Sequence, residues 1–161
     1  MTSPLGRYAG EEHDALVPVL LLQAPLVIWQ RTAEHHDELM REMALLALSP
    51  TNQELPTRLL ELVDVLGNQY GAAGARLDED REAARARGLD RIDLRYEVPR
   101  SSAASAQRMR DLLDEAEQYC RTDLLTLAQP QAQADFARWY IDQFVRQCAG
   151  NPPTPWPGPW S

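Results

Sequence analysis

The sequence predicts an all-α fold: a helical bundle of four to five helices, an extended crossover at about 89–100 and a Pro/Trp-rich C-terminal tail. Three observations lead there. Apolar residues recur in steps of three and four through several long stretches, as in helices with one buried face. Pro25, Pro50, Pro56 and Pro130 fall where such stretches begin or end, not inside them. Only one short segment alternates with the period of a strand. The 161 residues, 44% of them hydrophobic and 25% charged, match one soluble domain with a core of its own. The organisation expected is a flexible segment at 1–15, the bundle at 16–150 and the tail at 151–161.

The chain is most apolar from Leu16 to Trp29, LVPVLLLQAPLVIW. That run is too short to span a bilayer, which takes about 20 residues, and Pro18 and Pro25 interrupt it. The residues before it carry more acid than base, the wrong charge for a signal peptide. It reads as buried core. From Pro25, which suits a first helical turn, the seam Leu26, Trp29, Ala33, His36, Met40, Met43 and Ala47 marks a helix over 26–48. Ser49-Pro50 ends it. A second helix is expected over 57–70 after Pro56, with a bend or break near Gly71, since Gly67, Gly71 and Gly74 weaken a helix interior. A charged helix from Arg76 to Arg87 follows, closed by Gly88.

Residues 92–98, IDLRYEV, alternate apolar and polar like a strand. With no second convincing strand in the chain, the segment is expected as a crossover lying along the bundle; pairing with a second copy is the other possibility. Ser101, Ser102 and Ser105 offer N-caps for a helix over 103–121, with a seam of Ala106, Met109, Leu113, Ala116 and Cys120. The run DLLTLA at 123–128 reads as a short kinked turn. Pro130 starts the last helix, 131–148, which Gly150 ends. The final eleven residues, NPPTPWPGPWS, hold five prolines and must be extended or irregular.

Charge and composition narrow the function classes. Sixteen basic residues stand against 24 acidic ones, a net charge of −8, which argues against nucleic acid and membrane surfaces as partners. Every basic residue is arginine, so lysine Schiff-base chemistry and a P-loop are excluded. Two cysteines, Cys120 and Cys148, make no disulfide framework, which points to the cytoplasm. His35 and His36, with Glu34 and Glu38, invite a metal. Neither Glu-x-x-His nor His-x-x-x-His occurs, and adjacent helical histidines point about 100° apart, so no metal and no cofactor is expected. No Gly-x-Ser-x-Gly elbow is present, and the cysteines lie on seams. The chain therefore reads as no enzyme.

Two sets of residues stand out as binding candidates. Trp139 lies roughly 140° around the last helix from Phe144, the centre of its apolar face, so something must cover the indole. The tail, the 92–98 segment and a second protein are the possibilities. The last is favoured because aromatic and Arg side chains concentrate binding energy, which makes Arg138, Trp139 and Arg146 the candidate contact for a partner protein or homo-oligomer. The alternative is a sensor holding an apolar ligand between helices near Trp29, His36, Met40 and Tyr140.

Several segments resemble a helical region of actinobacterial regulatory proteins that accompanies histidine-kinase-like ATP-binding domains of the anti-sigma-factor type. They are EHHDELMREMALLAL at 34–48, LPTRLLELVDVLGNQYG at 55–71, LLDEAEQYCRTDLLTLAQPQAQADFARWYIDQFVRQ at 112–147 and the PPTPWPG that follows. The resemblance runs from about residue 18 into the tail and rests on helical motifs of low chemical specificity. None of the glycine-rich nucleotide boxes occurs in this sequence, so ATP binding is not carried over. The resemblance implies an accessory signalling module, of the kind used in partner switching.

Overall fold

The computed structural model describes residues 15–48, 71–123 and 129–159. Two strands and four helices follow in the order β1 (Leu16–Pro25), α1 (Leu26–Leu48), α2 (Gly71–Ala86), β2 (Arg91–Pro99), α3 (Ser102–Asp123) and α4 (Gln131–Cys148). The chain is mostly helical, but it is not purely all-α. The helices expected at 26–48, 103–121 and 131–148 are present, and Gly88, with φ of 71°, sits in the turn after α2. The expectations of a flexible segment at 1–15 (up to residue 14), a helix at 57–70, a bend or break near Gly71 and a kinked turn at 124–128 fall wholly or partly outside the described residues. No described helix is long and apolar enough to cross a membrane.

The main correction concerns the apolar run at the start. Its first ten residues form β1, which pairs antiparallel with β2. The 92–98 segment is thus neither a lone crossover nor an orphan strand. Inward positions pair Val17 with Val98, Val19 with Tyr96 and Leu21 with Leu94. The period of two is hidden in β1 because its outward residues, Leu16, Pro18 and Leu20, are apolar as well. Pro18 is tolerated because Leu20, two residues on, turns both backbone groups away from β2, so the missing N–H lies on that same outer edge.

One extra residue between Leu21 and Ala24 makes a β-bulge, with Gln23 at a φ of 58°. The Asp93 carboxylate accepts the Gln23 backbone N–H at 2.6 Å and its side-chain amide at 3.3 Å. The bulge lets Leu21 and Ala24 both face inward, and it turns the Leu22 carbonyl towards the tail, where it accepts the Trp156 N–H at 3.0 Å.

Helices α3 and α4 form an antiparallel hairpin, joined by ion pairs of Arg110 with Asp142 and Arg138 with Asp114. Ala106, Met109, Leu112 and Ala116 of α3 are buried. Helix α4 packs on β1 and α1, and its contacts explain why its buried surface is wider than one seam. Phe136, Trp139, Gln143 and Gln147 form a second buried ridge, stepping by three and then four. Gln147 uses its amide as a strand would, accepting the Leu20 N–H and donating to the Leu20 carbonyl, each at 2.8 Å. Gln143 accepts from both Gln147 and the Thr154 N–H.

The tail therefore folds back over α4. Trp156, 3% exposed, stacks edge-on against Trp139 at 5.5 Å and Phe136 at 5.7 Å. Leu21, Ala24, Ile28 and Trp29 complete this cluster beneath the sheet.

Candidate functional site

Away from the sheet, α1 crosses the α3–α4 hairpin and leaves a shallow cleft. Helix α1 contributes His35, His36 and Leu39, and α3 contributes Arg110, Leu113, Asp114 and Glu117. The other wall is Gln129 and one face of α4, with Ala134, Ala137, Arg138 and Ile141. The floor is aliphatic and the rim charged. On α3 the charged side chains recur at spacings of four and three beside the apolar seam, so one row of the helix supplies them all. The cleft volume is about 30 Å³, room for a water molecule.

Burial pushes the His36 imidazole down to about 4, and His35 beside it pushes in the same direction. His35 is lowered too, by desolvation first, with Glu117 and Glu38 opposing. Both rings are neutral at pH 7. The His35 Nε2 is buried without a hydrogen-bond partner, and so is the Gln129 Nε2. Glu117 is engaged instead with the Arg121 guanidinium at 3.1 Å and the Gln129 backbone N–H at 3.0 Å. Arg138, half exposed, lies 3.9 Å from Asp114 and 3.7 Å from Asp135, at the limit of ion pairing. The described cleft residues supply imidazole, amide, guanidinium and carboxylate groups, and no hydroxyl or thiol nucleophile. Such a set suits hydrogen bonding to a polar or peptide surface.

The candidates read from the sequence are distributed unevenly. Arg138 is on the cleft rim. Arg146 is exposed near the far end of α4, where its carbonyl accepts the Asn151 N–H at 3.0 Å. Trp139 is 9% exposed and donates its indole N–H to the Thr154 carbonyl at 3.0 Å, so the chain's own tail covers it instead of a second protein. The four residues of the ligand alternative do not enclose one space. Trp29 and Tyr140 pack edge-on at 5.7 Å in the aromatic region. His36 belongs to the cleft, and Met40 is half-buried one helical turn further along α1.

Arg110, Glu117 and Gln129 were not singled out as a site by their sequence pattern, in which the charges read as a solvated face, and His35 was weighed only as a metal ligand beside His36. The signal was the adjacency of that charged row to the seam. Among the described residues, no cluster of three or more His, Cys, Asp or Glu side chains is placed to hold a metal ion. Comparison with known proteins returns no match to a protein family, a curated protein or a solved structure.

Proposed function

We propose that the protein is a non-enzymatic regulatory or protein-interaction module of a bacterial signalling system, working in the cytoplasm by partner switching, and that its partner docks across the α1/α3/α4 cleft. The observation that carries this reading is the pair of buried, unpartnered nitrogens, His35 Nε2 and Gln129 Nε2, beneath a rim that includes Arg138. Buried polar groups are nearly always satisfied, and each one left unpaired costs about 1–3 kcal/mol. A partner segment offering carbonyl or carboxylate oxygens would engage the arginine, and the two nitrogens would be reached by its oxygens once the cleft widens around it. The resemblance to helical regions of regulatory proteins supports the same class. The ligand-sensor alternative draws less support, because a 30 Å³ cleft is far below the roughly 300 Å³ at which small-molecule pockets begin.

The test is affinity capture of the native protein from its own cells, alongside Arg138→Glu and His35→Ala variants of unchanged melting temperature. The expected result is one dominant protein partner that both variants lose. Retention of that partner by both variants would refute docking at the cleft, and a captured small molecule in place of a protein would favour the sensor.

A further inference from the structure

The two edges of the sheet are finished differently. On the outer edge of β1, Gln147 pairs with both backbone groups of Leu20, and the tail pairs with the Leu22 carbonyl. Among the described residues the outer edge of β2 has no such cover. Leu20 faces Arg95 in the ladder and bonds away from it, so this is a pair in which neither strand bonds across. At the two ends, Asp90 accepts from Leu26 and Arg100 donates to Ala15. Even-numbered residues of β2 therefore bond to β1, and Asp93, Arg95 and Glu97 turn their N–H and C=O groups outward. Among the described residues, no other segment hydrogen-bonds those outward backbone groups.

We propose that this edge pairs with the same edge of a second copy, antiparallel about Leu94. The segment RIDLRYE is complementary to its own reverse. In that register Arg91 lies opposite Glu97 of the second copy, and Asp93 lies opposite its Arg95. Ile92 meets Tyr96 and Leu94 meets Leu94 on the inner face, where all three residues are half-buried in the single chain. Opposite charges and aromatic–aliphatic pairs directly across a ladder each stabilise it by a few tenths of a kcal/mol up to about 1 kcal/mol.

The alternatives are disfavoured by the same residues. Only a shift of two residues keeps outward groups facing each other. One such shift sets Arg95 against Arg95 and Asp93 against Glu97. The other sets Asp93 against Asp93 and Arg91 against Arg95. Charged residues ordinarily protect an edge strand from association. Here their order admits one register and rejects its neighbours. The assembly also closes: the joined sheet is β1-β2-β2-β1, and each outer edge already carries Gln147 and the tail, so the product is a two-fold dimer and not a fibre. No residue of β2 lines the cleft, and the inference stands independently of the docking proposal.

Sedimentation of the purified chain from micromolar to millimolar concentration tests it. The expected result is a concentration-dependent monomer–dimer equilibrium. Arg95→Pro removes an outward N–H and no β1–β2 bond, so it should abolish the dimer while leaving circular dichroism and melting near wild type. Glu97→Arg faces Arg91 with a like charge twice, and should raise the dissociation constant roughly tenfold or more. Exchanging the pair, Arg91→Glu with Glu97→Arg, should restore it. A wild-type monomer at every concentration overturns the proposal, as does a dimer indifferent to Arg95→Pro and Glu97→Arg, or an exchange that fails to restore a dimer lost in Glu97→Arg. Partner capture by the monomeric variants then reports on the cleft separately.

Discussion

Helices α1 and α4 run through both ends of the molecule, and the two ends differ in how their buried side-chain nitrogens are partnered, although the Tyr96 hydroxyl at the sheet end is also buried without a partner. At the sheet end, Gln143, Gln147 and the Trp139 and Trp156 indoles are all hydrogen-bonded, to a strand edge, to the tail or to each other. About two helical turns along α1 from Trp29, the cleft end holds His35 with a buried Nε2 that has no partner. The contrast appears even between neighbours: Trp139 is locked beneath the tail, while Arg138 stands half exposed on the rim. Saturated polar groups rigidify a core and define one structure, whereas unsatisfied ones cost stability and are kept where a site needs them. The sheet end therefore holds the larger hydrogen-bonded side-chain network, and the cleft end is the face proposed above for docking.

The sharpest way to break the sheet end is Phe136→Ala. Its ring touches Trp29, Trp139, Tyr140 and Trp156, so removing it should cost about 3–5 kcal/mol in denaturant unfolding. Next comes Gln147→Ala, which strips both partners from Leu20; a loss of about 1–3 kcal/mol is expected in the same assay. If Gln147→Ala proves neutral, the amide is not what closes the β1 edge.

The cleft end should reveal itself in acid. The His36 pKa is about 4 in the folded chain against an ordinary 6.5, so as pH falls the unfolded chain takes up the proton first. Stability is then full above about 6.5 and declines as pH drops towards about 4, by on the order of 2 kcal/mol once partial exposure is allowed for. His35 adds to the decline in the same direction. Unfolding free energies measured above and below this window should differ less in His36→Gln than in the wild type. The smallest effect expected on folding is that of Arg138→Ala. Its two ion pairs are long and exposed, and melting should register about 0.5 kcal/mol or less. A large loss of stability would move Arg138 from the proposed docking surface to the fold.

Three of the helices were legible from their seams and end signals: Pro25, Pro130 and Gly150 mark the ends of α1 and α4, and Ser101, Ser102 and Ser105 mark the start of α3. The strand pattern of 92–98 was equally plain. Its partner was not, because the outward residues of β1 are as apolar as the inward ones and a leucine-rich run carries no visible period. Trp139 was recognised as needing cover, but helical geometry alone assigns a direction, not an occupant. The cleft was half legible. His36 drew notice from its place in the seam, while Glu117 and Arg110 could not be told from surface charge until α1 was laid across them.

What the sequence by itself determined is local: where helices begin and end, which short segment is extended, and that the tail cannot be helical. Each follows from backbone sterics and from the spacing of apolar side chains along one element. The tertiary structure decided everything that depends on two distant segments meeting. It paired β1 with β2, turned the tail back onto Trp139, made the Gln147 amide the missing edge of a strand and buried the His35 Nε2 beside a cleft without a partner. Such contacts join residues from 15 to 127 positions apart, and what selects them is the complementarity of assembled surfaces, which no single element's periodicity encodes.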